Sequence, residues 1–268
     1  MPVAPHRSEV IPAQRRNLIL DLIRKKGVIS VHELAETIGV SLPTIRRDLN
    51  WLARTGTIQR SHGGATLNNP PGTTFEPDAH TSAILAQKEK AAIAKLAAQR
   101  LKAQQSVLFD SSSTVYEVAR QVAKSKIKLT AVTNDIRIAE LLAAAPAVHL
   151  VVSGGACRPG SYTLLGEPGL SFLQSLHVDV AVMGIHAVHD SAFCDTSLEV
   201  AYAKRRMAAA AKQVIVVADG SKFGQVAFFD AFEVGPKFEV ITDRPLAPDI
   251  SGSLAKTGAR VTHVGGQT

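Results

Sequence analysis

Two cysteines in 268 residues, Cys157 and Cys194, form no C-x-x-C pair. A disulfide framework is therefore not expected, and a reducing cytoplasm fits. No apolar run approaches the roughly eighteen residues that a membrane span needs. The first ten residues, M-P-V-A-P-H-R-S-E-V, hold no apolar stretch of the signal-peptide kind, so no secretory signal is expected. No internal repeat is visible. What is present is a globular composition, 46% hydrophobic and 20% charged, with length for about two domains. The net charge is +7 and unevenly spread. Residues 1–65 hold ten Lys/Arg against five Asp/Glu, and the remainder hold twenty against eighteen. A basic small domain joined to a nearly neutral large one is the footprint of a nucleic-acid binder with a second function.

The basic quarter has helical punctuation. Residues 1–10 are expected to be disordered. Leu18, Ile19, Leu22 and Ile23 form a helical stripe that Gly27 ends. Ser30-Val31-His32-Glu33 has the pattern of a capping box, and a helix from Val31 to Ile38 is expected, closed by Gly39. A third helix opens at V-S-L-P-T-I-R-R-D-L, Val40 to Leu49, with Ser41 as its cap and Pro43 in its first turn. Ile45, Leu49 and Leu52 face inward, and Val40 with Ile45 has staple spacing. Thr44, Arg47 and Asn50 face away, with Arg46 on the flank. These side chains bond base edges and phosphates when such a helix enters the major groove. Two short helices around a tight turn form a helix-turn-helix. Strand-like residues 57–60 and the turn at 62–65 then predict a wing, with Arg60 and His62 placed for backbone or minor-groove contacts.

This segment resembles the winged helix-turn-helix of the DeoR family of bacterial transcriptional regulators. The matching residues are V-S-x-x-T-I-R-R-D-L at Val40–Leu49, Leu52, Gly56 and R-x-H-G-G-A at Arg60–Ala65.

Residues 67–83 are rich in Pro, Asn, Thr and Gly and read as a linker between a domain at 11–66 and one at 84–268. A long Ala-rich helix is expected from Ile84 to about Lys102. Apolar runs at 107–110, 129–133, 148–153, 178–184, 214–219, 240–243 and 261–264 then alternate with helical runs at 114–124, 135–144, 167–176 and 198–211. The expected fold class is α/β: a mainly parallel, Rossmann-like sheet covered on both faces. Such sheets bind ligands outside the carboxyl ends of their strands. Those ends carry Asp110-Ser111-Ser112-Ser113-Thr114, Thr133-Asn134-Asp135, Ser153-Gly154-Gly155 and Gly220-Ser221-Lys222-Phe223-Gly224. Hydroxyls and N–H groups opening a helix suit phosphate, and the lysine suits an anion.

The same blocks are similar to the DeoR sensor domain, itself similar to ribose-5-phosphate isomerase. The resemblance runs through Glu89-Lys90, Asp110–Thr114, Thr133-Asn134, Gly154-Gly155, Gly166, Leu198-Glu199, Lys204-Arg205, 218–224 and 241–243. It implies a repressor of a carbohydrate-utilisation operon, relieved by a phosphorylated sugar bound among these residues, including Glu199 and Lys204. Three departures stand out. Ser112 stands where the family has Gly, Gln105 where a Gly precedes the first sensor strand, and the loop after Gly184 is short and atypical. His186, His189, Cys194 and Asp195 in that loop match no zinc spacing; neither metal nor cofactor is expected. The expected partners are an operator duplex, a sugar-phosphate effector and further copies of the chain, as a dimer or higher even assembly, because one recognition helix reads few base pairs. Two other readings remain open: a sugar-phosphate isomerase with a DNA-binding arm, using Asp110, Glu199, Asp219 and Lys204, or an architectural DNA binder whose second domain only oligomerises.

Overall fold

A computed structural model describes residues 12–54, 58–61, 63–67, 73–74, 76 and 79–267. The expectations for residues 1–10, for His62 and for Gly56 lie outside them. The chain divides into two compact units, Met1–Gly72 and Thr73–Thr268.

The first unit runs α1 (Pro12–Lys26), β1 (Val28–Ser30), α2 (Val31–Ile38), α3 (Leu42–Arg54), β2 (Ile58–Ser61) and β3 (Gly64–Leu67). Gly27 and Gly39 end their helices at φ +70° and +76°, a region open to glycine without steric cost. The Ser30 hydroxyl accepts from Glu33 N–H at 3.1 Å, which starts α2. Glu33 does not reach back as a capping box would; its carboxylate pairs with Lys26. Ile19, Ile23, Leu34, Ile45, Leu49 and Leu52 fill the core between the three helices, and Val40 packs against it. Each fully buried Ile or Leu of this kind contributes about 1.5–3 kcal/mol. Leu18 stands outside the expected stripe, 46% exposed. β3 pairs antiparallel with both β1 and β2, so the wing is a three-stranded sheet rather than a lone hairpin.

The second unit opens with α4 (Ala79–Ile84) and α5 (Gln87–Ala98). The tail of the segment read as linker is thus helical, and the expected long helix is two pieces, interrupted where Ala86 takes φ +50°. Then follow β4 (Ser106–Phe109), α6 (Ser113–Ser125), β5 (Leu129–Thr133), α7 (Ile136–Ala143), β6 (Val148–Val152), β7 (Ala156–Cys157), β8 (Leu164–Leu165), α8 (Gly169–Gln174) and β9 (Val178–Gly184). The chain continues through β10 (Ala187–His189), β11 (Ala192–Asp195), α9 (Leu198–Ala210), β12 (Ala211–Val217), β13 (Phe229–Glu233), β14 (Phe238–Thr242), α10 (Pro248–Lys256), β15 (Arg260–His263) and β16 (Gly266–Gln267).

One eight-stranded sheet runs in the order β16-β15-β14-β12-β9-β4-β5-β6. Seven of these strands are mutually parallel, and β16 is antiparallel to its neighbour. This is a Rossmann-like α/β domain that follows a winged helix-turn-helix in the chain. The chain winds outward from β4 to β6, returns, and winds the other way from β9 to β15. The order therefore reverses between β4 and β9, and open sheets of this kind bind ligands beyond the carboxyl ends at such a reversal. Strands such as Val178–Gly184, buried along most of their length, explain the unbroken apolar runs. The atypical loop after Gly184 is ordered secondary structure. β10 and β11 form a hairpin around Asp190, at φ +51°, and β13 pairs onto β11.

Candidate functional site

Two regions carry chemistry, one in each unit. On α3, Ile45, Leu49 and Leu52 are buried, while Arg46, Arg47 and Asn50 are exposed and Thr44 half-buried. Ser41 precedes the helix; its carbonyl accepts the N–H groups of Thr44 and Ile45, and its hydroxyl lies 2.8 Å from that of Thr44. Arg60 on the wing donates to the Asn50 amide oxygen, which ties wing to recognition helix. Asp48, unremarked in the sequence, is 1% exposed and holds α1: Arg15 Nε lies 2.5 Å and Arg16 Nε 3.0 Å from its two carboxylate oxygens. A carboxylate inside a V-x-x-x-x-I-R-R-D-L pattern carries no sign that it points inward, so only the fold reveals this clamp.

In the second unit, the ends of β4 and β9 meet at the reversal. Asp110 accepts Gly184 N–H at 3.1 Å and pairs with Lys204 from α9. Lys204 also donates to Gly184 O at 2.9 Å and lies 4.0 Å from Asp195. Burial works against the Lys204 charge, but Asp110 and Asp195 outweigh it and hold its pKa above the ordinary lysine value. Burial likewise pushes Asp195 up to about 6. Lys204 and Asp110 thus form a buried ion pair beneath the carboxyl ends of β4 and β9.

Next to Asp110, Ser111 N–H donates to Asn134 Oδ1 at 3.1 Å, and its hydroxyl donates to Asp135 at 2.7 Å. The same hydroxyl lies 2.8 Å from that of Thr163. Asp135 caps α7 through Arg137 and Ile138 N–H. Thr133 is buried and bonds Phe109 O at 2.8 Å, fixing β5 against β4. Ser112 takes an extended conformation, φ −161°, and its hydroxyl accepts Thr114 N–H at 3.2 Å. Serine in place of glycine therefore costs no backbone strain here and caps α6 instead. Ser113 opens that helix, and Thr114 is buried behind it.

A methyl group on Gly184 would overlap the Ser112 side chain. Gly184→Ala should therefore pull Ser112 off its cap and lower the melting temperature. Adding Ser112→Gly should restore most of the loss, because it empties the contested volume. A melting series of the two single variants and the double variant checks this, and strict additivity would refute the contact.

Gly154 and Gly155 follow β6 with φ +78° and +108°. A Cβ on Gly155 would lie 2.5 Å from Leu165 O, so this glycine serves the close approach of β8. Lys222 follows β12, half-buried. The backbone there is fixed by Gly220 N–H to Asp243 at 2.6 Å and by the Asp219 side chain to Ser221. The segment after Lys222 is bonded to the β10 strand through Gly224 N–H to Val188 O at 2.8 Å. Glu199 is exposed at the start of α9, bonded to the Ser197 hydroxyl at 2.7 Å, and does not join the cluster at β4 and β9.

Two further titratable groups feel the charge of Lys222. Lys90 on α5 is buried, donates to Ser82 O at 2.5 Å, and is pushed down to about 8 by burial and by Lys222. His186, beside Gly184, is pushed down to about 4 by burial and by Lys222. Lys90 lies in the sequence block that matches the sensor family, but its helical spacing marks it only as part of an amphipathic face. The other loop residues diverge: His189 is exposed beside Asp190, and Cys194 is buried 3.1 Å from Asp230. Among the described residues no group of three or more His, Cys, Asp or Glu is placed to hold a metal.

A winged helix-turn-helix carrying an arginine-rich third helix, joined to an α/β domain with polar side chains gathered at its sheet reversal, defines a DNA-binding regulator with a separate sensing unit. The comparisons name the family. Residues 15–70 match the DeoR-like helix-turn-helix domain, and residues 85–244 match the DeoR C terminal sensor domain. The chain is 32% identical to an uncharacterized HTH-type transcriptional regulator, YgbI, of Escherichia coli K12, over 92% of its own length and 96% of that protein. It is 31% identical to a putative aga operon transcriptional repressor of Escherichia coli O157:H7, over 94% of each chain. To the glycerol-3-phosphate regulon repressor of Escherichia coli K12 it is 30% identical, over 87% and 91%. Among solved structures, a ribose 5-phosphate isomerase from Methanocaldococcus jannaschii aligns at 15% identity and a TM-score of 0.39, covering 51% of this chain and 54% of that one. The chain belongs to the DeoR family and is a DNA-binding transcriptional regulator. No helix among the described residues is long and apolar enough to cross a membrane.

Proposed function

We propose that the protein is a cytoplasmic repressor of a carbohydrate-utilisation operon, that it binds DNA as a dimer or higher even assembly, and that a phosphorylated sugar releases it. The observation that carries the effector half is the gathering of polar side chains at the β4–β9 reversal. Ser111, Ser112 and Asn134 line one side, and Lys222 and Lys90 supply positive potential on the other, with His186 beside them as a neutral imidazole. The N-terminus of α6, where the Ser112 hydroxyl keeps its own O–H to donate, suits a phosphate monoester beside an adjoining lysine, while Asp110 and Lys204 form a rigid pair beneath it. In this reading Thr133, Gly154, Gly155 and Lys204 shape the site, and Lys222 meets the anion. The relatives named as repressors of an aga operon and a glycerol-3-phosphate regulon support the same assignment.

A thermal-shift panel of phosphorylated sugars against their unphosphorylated forms tests it. A true effector should raise the melting temperature with concentration, and Lys222→Ala should remove the effect. No response to any phosphorylated sugar would favour a domain that only oligomerises, and turnover of a pentose phosphate would favour an enzyme. The pH dependence has a definite sign. A bound phosphate favours protonated Lys90, whose pKa lies near 8, so affinity should hold below that pH and fall as pH rises through it. Isothermal titration across this range checks it, and affinity that rises above pH 8 would contradict the role of Lys90.

A further inference from the structure

Trp51 is the single tryptophan of the chain, and it stands 47% exposed on α3. Steps of three, four and three residues put Thr44, Arg47, Trp51 and Arg54 on one face of the helix, opposite Ile45, Leu49 and Leu52. At 1.5 Å per residue, Trp51 lies roughly 10 Å farther along the axis than Thr44. A helix whose first residues enter the major groove has reached the groove wall by that distance, where sugars and phosphates stand.

The charge of this face is one-sided. α3 carries Arg46, Arg47 and Arg54, and its sole acid, Asp48, is buried against Arg15 and Arg16. Arg16, held by that bond, lays its guanidinium 4.1 Å over the Trp51 ring. Its side chain keeps 24% exposure. The result is a rigid stack of an indole on a cation, anchored from beneath and open to solvent on the face that suits a polyanion. An indole combines an apolar ring with one N–H donor, which matches a deoxyribose beside a phosphate.

We propose that Trp51, with Arg16 stacked on it, is a DNA-backbone contact: the ring packs on a deoxyribose and the indole N–H donates to a phosphate oxygen. The assignment rests on α3 being the recognition helix and adds a contact that carries no base preference. Its function is to fix how far α3 sits along the groove, so that Arg46 and Arg47 reach the same bases each time.

The test uses the full-length protein and a fluorescently labelled duplex of random sequence at low salt, where backbone contacts suffice for binding. Label anisotropy reports binding, and the emission of the single tryptophan reports the contact. Emission should change in proportion to anisotropy. Trp51→Ala should weaken binding by about tenfold, the loss of one such contact, with no more than the small fall in melting temperature that losing a half-exposed stack brings, so that the domain is fully folded at the assay temperature. Trp51→Phe keeps the stack without the N–H and should fall between. Rising anisotropy with constant emission would overturn the assignment, as would a loss in Trp51→Ala that tracks unfolding at the assay temperature. No rise in anisotropy would sink the recognition-helix reading itself and this contact with it.

Discussion

Lys204→Met should destabilise the sensor domain by about 3–5 kcal/mol, the cost of removing one partner from a buried ion pair. The lysine is 3% exposed, and its removal leaves Asp110 and Asp195 facing each other at 2% and 4% exposure with no cation between them. It also removes the donor to Gly184 O, so β9 loses part of its tie to β4 at the point where the sheet reverses. Adding Asp110→Asn should recover much of the loss, since replacing both partners of such a pair is often close to neutral. Chemical denaturation of the two single variants and the double variant measures the coupling. A double variant as unstable as the sum of the singles would show that the lysine acts elsewhere, on a ligand rather than in the pair.

Arg47→Ala should weaken operator binding by about 1–3 kcal/mol if this arginine reads a base edge. Arg47 is exposed on the outer face of α3, one turn from Thr44, and has no partner among the described residues, in contrast to Arg60, which is bonded to Asn50. The loss should be larger on the operator than on random duplex, the opposite of the even loss expected for Trp51. Competition binding with both duplexes separates the two cases. Equal losses on both would make Arg47 a phosphate contact, and no loss on either would remove it from the interface.

Much of this was legible because the sequence punctuates itself. Gly27, Ser30, Gly39 and Pro43 mark helix ends by backbone geometry alone, and the apolar runs of β9, β12 and β14 are those of parallel strands buried along most of their length. What stayed hidden depends on contacts far apart in sequence. β10, β11 and β13 read as loop because their pairing joins residues 187–195 to residues 229–233. The short α10, P-D-I-S-G-S-L-A-K, holds Gly252 and two serines, which weaken any helical signal. In the site, polar residues at strand ends were visible as types, but not their division of labour. Lys204 and Lys222 are the same residue chemically, and only burial separates a lysine locked in an ion pair from one half-open to solvent. Lys90 was hidden for a similar reason, because an amphipathic helix gives no sign of which of its lysines turns inward.

The central claim is that the site at the β4–β9 reversal controls the grip of α3 on DNA. The direct measurement is anisotropy of a labelled duplex from the chain's own upstream region, held by the full-length protein and titrated with phosphorylated sugars. A sugar that stabilises the protein thermally should release the duplex, and its unphosphorylated form should not. Lys222→Ala should keep the protein on DNA at the same sugar concentration. A sugar phosphate that binds tightly and leaves DNA affinity unchanged would contradict the claim, because ligand control requires different affinities for the two states.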